Sequence, residues 1–281
     1  MRLVSFVQNG LSSYGTLSEA GVHQVSGDYA ARYPTLRSVI AAQDLPAMVA
    51  ACQGHALALG SVDLLPPLPD AGKILCAGLN YHKPYPVAGV APPLPGNVVL
   101  FARHAETLLG HGAPLEIPQG EAAETFDYEG EIVVVIGKGG RHIAQADAMD
   151  HVMGYSVMNE GSVRGWQKHS IHAGKNFAGS GSWGPWITTA DDIANPATMI
   201  LQTRLNGVLM QDTTAEQMIF SVAEIISYVS HLLPLSPGDI IATGSPDGTG
   251  GSRTPPRFLR KGDVVEVFVS GVGTLRNPVG D

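Results

Sequence analysis

Charge is scarce in this chain. Asp, Glu, Lys and Arg supply 15% of its 281 residues, and 17 basic side chains face 25 acidic ones, a formal charge of −8. No basic field exists to hold a phosphate backbone or an anionic bilayer surface, so nucleic acid and membrane are excluded as expected partners. Cysteine is rarer still. Cys52 and Cys76 stand apart without CxxC spacing, which excludes a disulfide framework and a thiolate zinc site and fits a reducing compartment. Apolar runs are short: the one at 132–136 falls far below the roughly 20 residues that span a bilayer. Residues 1–10 close on Asn9-Gly10 and read as a strand and turn, not as a secretory leader. A cytoplasmic protein is the expectation.

What the chain has instead is backbone punctuation. Its 34 Gly and 20 Pro fill about a fifth of the positions, against a usual share of about 12%. That mixture excludes coiled coils, charged disordered tails and collagen-like repeats, and it points to a compact, turn-rich protein.

Strand-like pieces at 2–8 and 21–25 and helical stretches at 35–42 and 44–53 suggest a small N-terminal cap over residues 1–70. The stiff run Leu64-Leu65-Pro66-Pro67-Leu68-Pro69 marks its boundary with a second domain over 71–281. Beyond it, short apolar strands recur at 73–78, 98–101, 131–136, 154–158, 199–205, 239–243 and 264–269. The clearest helix is 220–232, where Val222, Ile225, Ile226 and Val229 fall at helical spacing. The class expected is α+β, mostly β, with a mixed β-roll or barrel-like core and not a doubly wound sheet.

Four clusters carry chemistry. In Asp127-Tyr128-Glu129-Gly130-Glu131, strand alternation puts Glu129 and Glu131 on one face. Paired there, they are either a solvated strand surface or, with a cation between them, a site for a hard divalent ion such as Mg²⁺, Mn²⁺ or Ca²⁺. Glu160, in Asn159-Glu160-Gly161-Ser162, sits where an apolar strand ends, with Arg164 and Gln167 close behind. It reads either as a third oxygen ligand or as an acid favourably placed at a helix start. Lys175, alone in a stretch short of charge, suits an oxyanion or a substrate carboxylate, or it is a surface lysine. The strand at 239–243 runs into Gly244-Ser245-Pro246-Asp247-Gly248-Thr249-Gly250, a turn able to offer N–H groups and hydroxyls to an anion. It lacks the Lys-Ser/Thr ending of a phosphate-binding P-loop.

The order of these clusters, with Gly78-Leu79-Asn80-Tyr81 before them and Asn206-Gly207, Gln211 and Gly262-Asp263-Val264-Val265 after them, resembles the fumarylacetoacetate hydrolase family from about residue 73 to 277. The resemblance implies a mixed β-roll core, a metal-dependent site and a homodimer. It also implies metal ligands at Glu129, Glu131 and, in place of the usual Asp, Glu160. Lys175, Arg164 and Gln167 fall beside the substrate, and the substrate-binding turn falls on Thr243, Gly244 and Ser245, with Tyr81 from the lid. Many members carry a lid reading Asn-Tyr-x-x-His-x-x-Glu. Here Pro84 and Val87 replace the water-activating His and Glu, which leaves His82 as the nearest substitute base and His111, between Gly110 and Gly112, as another candidate.

The activity expected first is metal-dependent hydrolysis of a C–C bond in a 2-oxo or 1,3-dicarbonyl, acylpyruvate-like acid, in catabolism of aromatic or cyclic compounds. Decarboxylation, hydration or keto-enol tautomerisation of a 2-oxo acid comes second, and metal-dependent carboxylate binding without catalysis third. Substrate side-chain specificity is expected from the lid, 81–95, and from the loop 250–257.

Overall fold

The computed structural model describes residues 1–82 and 94–280. Most of the apolar runs pair into one large mixed sheet. Its strands lie in the order Gly21–Gln24, Leu11–Ser18, Arg2–Gln8, Gly181–Thr189, Val152–Asn159, Gly130–Ile136, Ile240–Ala242, Ile74–Gly78 and Val99–Arg103. Along that path only the pair Ile240–Ala242 and Ile74–Gly78 runs parallel. A second, antiparallel sheet of Val208–Thr214, Ile200–Leu205, Val264–Val269 and Gly273–Pro278 packs against it. Its hairpin turns on Asn206-Gly207, both at positive φ (53 and 79), the conformation a two-residue type I′ turn demands.

Strand Gly130–Ile136 is buried along its whole length and feeds two cores by alternation. Ile132, Val134 and Ile136 pack with Leu201, Val265, Val267 and helix residues Ile225, Ile226 and Val229. Val133 and Val135 point the other way, into a core completed by Leu36, Val39, Ile40 and Met48 of the N-terminal helices Leu36–Ala42 and Leu45–Ala51. Helix Val222–Leu232 starts at a capping box in which Ser221 and Glu224 satisfy each other's backbone N–H.

The expected strands and helices form at the expected places, within a few residues. Among the described residues four strands of six residues or more went unread, Leu11–Ser18, Gly181–Thr189, Val208–Thr214 and Gly273–Pro278, as did the two-residue strands Asp63–Leu64, Leu108–Leu109, Phe126–Asp127 and Ser162–Val163. Serine and threonine fill the first, while Gly184 and Pro185 interrupt the second. Arg2–Gln8 pairs with Gly181–Thr189 through Leu3 and Ile187, so residues 1–70 add strands to the main sheet. The proline connector is tied to that same first strand, since Leu65 N–H donates to the Ser5 carbonyl and Ser5 Oγ donates to that of Pro67. Among the described residues no helix is long and apolar enough to cross a membrane.

Candidate active site

Strand register brings the acidic residues together. Gly130–Ile136 runs antiparallel to Val152–Asn159 with Glu131 opposite Met158 and Gly130 opposite Asn159. The start of one strand therefore meets the end of the other. The pairing continues beyond both strands: Glu160 N–H donates to the Glu129 carbonyl at 2.7 Å, and Glu129 N–H to Asn159 Oδ1 at 3.1 Å. Carboxylate oxygens of Glu129, Glu131 and Glu160 all lie within 4.8 Å of one another, and all three residues are buried. The loop behind Glu160 passes so close to its neighbour that a Cβ on Gly161 would lie 1.7 Å from the Ser180 carbonyl oxygen. On the other flank, Ile240–Ala242 delivers Gly244, at φ +104, whose N–H donates to Glu131 Oε2 at 2.8 Å.

Two cations enter this cluster. Lys175 Nζ, buried, donates to Glu129 Oε2 and Glu160 Oε2, each at 2.6 Å. Arg164 holds Asp127 Oδ2 at 2.8 Å through Nε and Glu129 Oε1 through Nη1. Asp127, fully buried, also accepts the backbone N–H groups of Tyr128, Gly250 and Gly251. Burial alone would raise the Glu129 carboxyl, but Arg164 and Lys175 outweigh it and hold it down at about 2. Burial would likewise lower Lys175, and Glu129 and Glu160 override it, so the ammonium is retained. Glu131 is the opposite case. Burial and the charges of Glu160 and Glu129 push its carboxyl well above the usual range. Beneath the cluster, burial and then the nearby Glu160 and Glu131 raise the Cys76 thiol well above its ordinary value, which keeps it protonated and unreactive.

These residues fit a divalent cation. Among the described residues Glu160 Oε1 is buried without a partner, the donors are all hard carboxylate oxygens, and the acids of the cluster outnumber its cations. The longer side chain at 160 reaches the other two carboxylates.

The cluster floors a cleft of about 280 Å³ lined by Gly78, Leu79, Val99, Phe101, Glu129, Glu131, Glu160, Arg164, Gln167, Ile171, Lys175, Ser245, Pro246 and Thr249. Of the residues expected at the site, Gln167 accepts from Arg164 at 3.4 Å and Ser245 Oγ accepts from Gln211 Nε2 at 2.9 Å. Thr243 is fully buried and its hydroxyl donates to the Ile132 carbonyl, so it secures the strand and does not line the cleft. Tyr81 is also buried, its hydroxyl without a partner among the described residues, and burial followed by the Glu131 charge raises its pKa.

His82 is exposed and outside the cleft lining. His111 accepts the Arg276 N–H through Nδ1 and also stands apart. Lid positions Pro84 and Val87 lie outside the described residues. Sequence reasoning left Asp127 without a role, although it stands two and four places before Glu129 and Glu131 in the same alternation. It also missed the apolar wall of Leu79, Val99, Phe101 and Ile171, which no local pattern joins.

A mixed β-core bearing a buried three-carboxylate cradle with an interposed lysine is the kind of site an enzyme can use to hold a divalent ion. The chain belongs to the fumarylacetoacetate hydrolase family, whose C-terminal domain model matches residues 73–280. It is 38% identical over 225 residues to the oxaloacetate tautomerase YisK of Bacillus subtilis, covering 79% of this chain and 74% of that one. It is 37% identical over 229 residues to a mitochondrial oxaloacetate tautomerase of Xenopus laevis, covering 80% and 70%. Among solved structures, a fumarylacetoacetate hydrolase from Exiguobacterium antarcticum superposes with a TM-score of 0.80 at 31% identity, covering 99% of both chains. A maleylpyruvate hydrolase from Sphingobium sp. SYK-6, in complex with manganese(II) and pyruvate, superposes with a TM-score of 0.82 at 27% identity, covering 99% and 98%.

Proposed function

We propose that this protein interconverts the keto and enol forms of a small 2-oxo carboxylic acid. The observation that carries the reading is Lys175 Nζ, held as an ammonium between Glu129 and Glu160 at the edge of the carboxylate cradle. Glu129, Glu131 and Glu160 would hold a divalent ion, Mg²⁺, Mn²⁺ or Ca²⁺, which supplies Lewis-acid polarisation of the 2-oxo group. Lys175 donates a hydrogen bond to the oxygen on which negative charge develops and keeps its proton, while C3 and the enol oxygen exchange their proton with solvent. Arg164 Nη2, buried and without a partner among the described residues, and Gln167 orient the substrate carboxylate, and Ser245 closes that side of the cleft. Tautomerisation consumes no water, which accords with a described cleft lining that contains no histidine. The two curated oxaloacetate tautomerases support the same reading.

Hydrolysis of a C–C bond in an acylpyruvate-like acid, the activity expected first from sequence, is the second reading. It is favoured by the likeness to the maleylpyruvate hydrolase that holds manganese and pyruvate. The metal-loaded protein is to be given enol-oxaloacetate and, separately, an acylpyruvate in ¹⁸O-water. Loss of the enol absorbance with oxaloacetate recovered intact supports tautomerisation. Label in a released carboxylate assigns hydrolysis, and evolved CO₂ assigns decarboxylation. Turnover that survives Glu129→Ala would sink both readings, because each depends on the cradle.

A further inference from the structure

The cleft has two unlike halves. Its floor carries the carboxylates with Lys175 and Arg164, and both cations are already engaged in ion pairs. Its outer wall is apolar. Val99 and Phe101 project from one face of the edge strand Val99–Arg103 by alternation, and the Phe101 ring centroid lies 5.6 Å from Lys175 Nζ, where the floor ends. Gly78, between them, leaves the space a side chain would fill, since its Cβ would lie 3.5 Å from both Val99 and Phe101.

Leu79 and Ile171 complete the wall, 60% and 41% exposed. Ile171 stands four residues before Lys175 on a short helix, on the face that carries the lysine. Leu79 is held at φ +54, a conformation that favours glycine or asparagine over leucine. The next residue fixes it there: Asn80 Nδ2 donates to the Thr243 and Phe220 carbonyls, and Asn80 Oδ1 accepts the Phe220 N–H. Single exposed apolar residues are ordinary, but these four border one cleft, and the cation that reaches them, Lys175 against the Phe101 ring, is already held by Glu129 and Glu160.

We infer that the substrate carries an alkyl substituent beyond its 2-oxo acid head, seated against Leu79, Val99, Phe101 and Ile171, and that Leu79 and Ile171 determine this specificity. The inference rests on the proposal that the acid head sits at the carboxylate cradle. A second carboxylate at that place would give up part of its water to apolar side chains while its nearest cation, Lys175, is already paired with Glu129 and Glu160.

The isosteric pair 4-methyl-2-oxopentanoate and oxaloacetate tests it, since one carries an isopropyl group where the other carries a carboxylate. Dissociation constants are to be measured by calorimetry on the Mn²⁺-loaded wild type, Leu79→Lys and Ile171→Lys. The alkyl acid should bind the wild type at least about tenfold more tightly than oxaloacetate, and each lysine should cut that ratio at least about fivefold. Equal or tighter binding of oxaloacetate, no binding of the alkyl acid, or variants that leave the ratio unchanged would overturn the inference. Interconversion of keto and enol forms is scored separately on both acids, by loss of enol absorbance for oxaloacetate and by exchange of the C3 hydrogens in D₂O for 4-methyl-2-oxopentanoate. Selective alkyl binding without interconversion overturns the tautomerase reading alone, and interconversion without alkyl preference overturns the alkyl subsite alone.

Discussion

Lys175 Nζ donates to Glu160 Oε2 at 2.6 Å, and the same nitrogen reaches Glu129 Oε2 at 2.6 Å, so one ammonium stands between two of three buried carboxylates. Replacing it with a neutral side chain of similar length leaves those charges facing one another. Lys175→Met should lower the stability of the metal-free protein by on the order of 3 kcal/mol, the cost of unpairing a buried charge. Urea denaturation measures the loss. Mn²⁺ should restore more stability to this variant than it adds to the wild type, because it replaces the missing positive charge. Turnover should be absent even with the ion bound.

Glu131 behaves differently, because its carboxyl is the one raised by burial and by both neighbouring acids. Its polar contact is the Gly244 N–H, which an amide oxygen can also accept. Glu131→Gln should leave the metal-free melting temperature unchanged or higher while weakening Mn²⁺ binding by at least about a hundredfold, since losing even a group that only orients a ligand costs about 10- to 100-fold. A lower metal-free melting temperature would contradict the assignment of Glu131 as the electrostatically strained member.

Gly161 is a packing requirement. A methyl group there would lie 1.7 Å from the Ser180 carbonyl oxygen, a backbone atom that cannot swing aside. Gly161→Ala should cost at least about 2 kcal/mol in thermal or urea unfolding. Because the displaced segment carries Glu160, Mn²⁺ affinity should fall with stability, and calorimetry on the folded fraction would separate the two effects.

Asp263 lies away from the cleft, where Arg257 Nη2 and Asn206 Nδ2 both donate to Oδ1 and the Arg260 N–H to Oδ2. Burial would raise its carboxyl, and these donors override that and lower it. A carboxyl lower in the folded state than in the unfolded chain stabilises the fold above about pH 4. The contribution disappears as pH falls through the folded value. Asp263→Asn should therefore melt earlier than wild type at pH 7, and the difference should shrink steadily when melting is followed down to pH 3.

Much of this arrangement is legible in the sequence because its parts are local. The apolar run ending at Ile136 announces a strand, and Glu129 and Glu131 announce a shared face. What stays hidden depends on register. Nothing near Asp127 says that Arg164 will fold back onto it, and nothing near Leu79 says that Ile171, 92 residues on, will share its cleft. Strand Gly181–Thr189 is concealed for another reason. Its Trp183-Gly184-Pro185-Trp186 core has turn chemistry, and tertiary pairing on both sides overrides it. His82 shows the same limit from the other side, since a loop position next to a recognisable motif gives no information about which way the side chain faces.

The buried strand Gly130–Ile136 also has a bearing on how the chain reaches its native pairing. Its odd and even positions enter separate cores, so a slip of one residue against Val152–Asn159 would turn Glu131 toward the space of Ile132 and Val134 and send isoleucine among the acids. Such a slipped state buries a carboxylate in hydrocarbon and cannot compact. The acidic pair therefore adds an electrostatic penalty to misalignment of this strand, beside its place in the cleft.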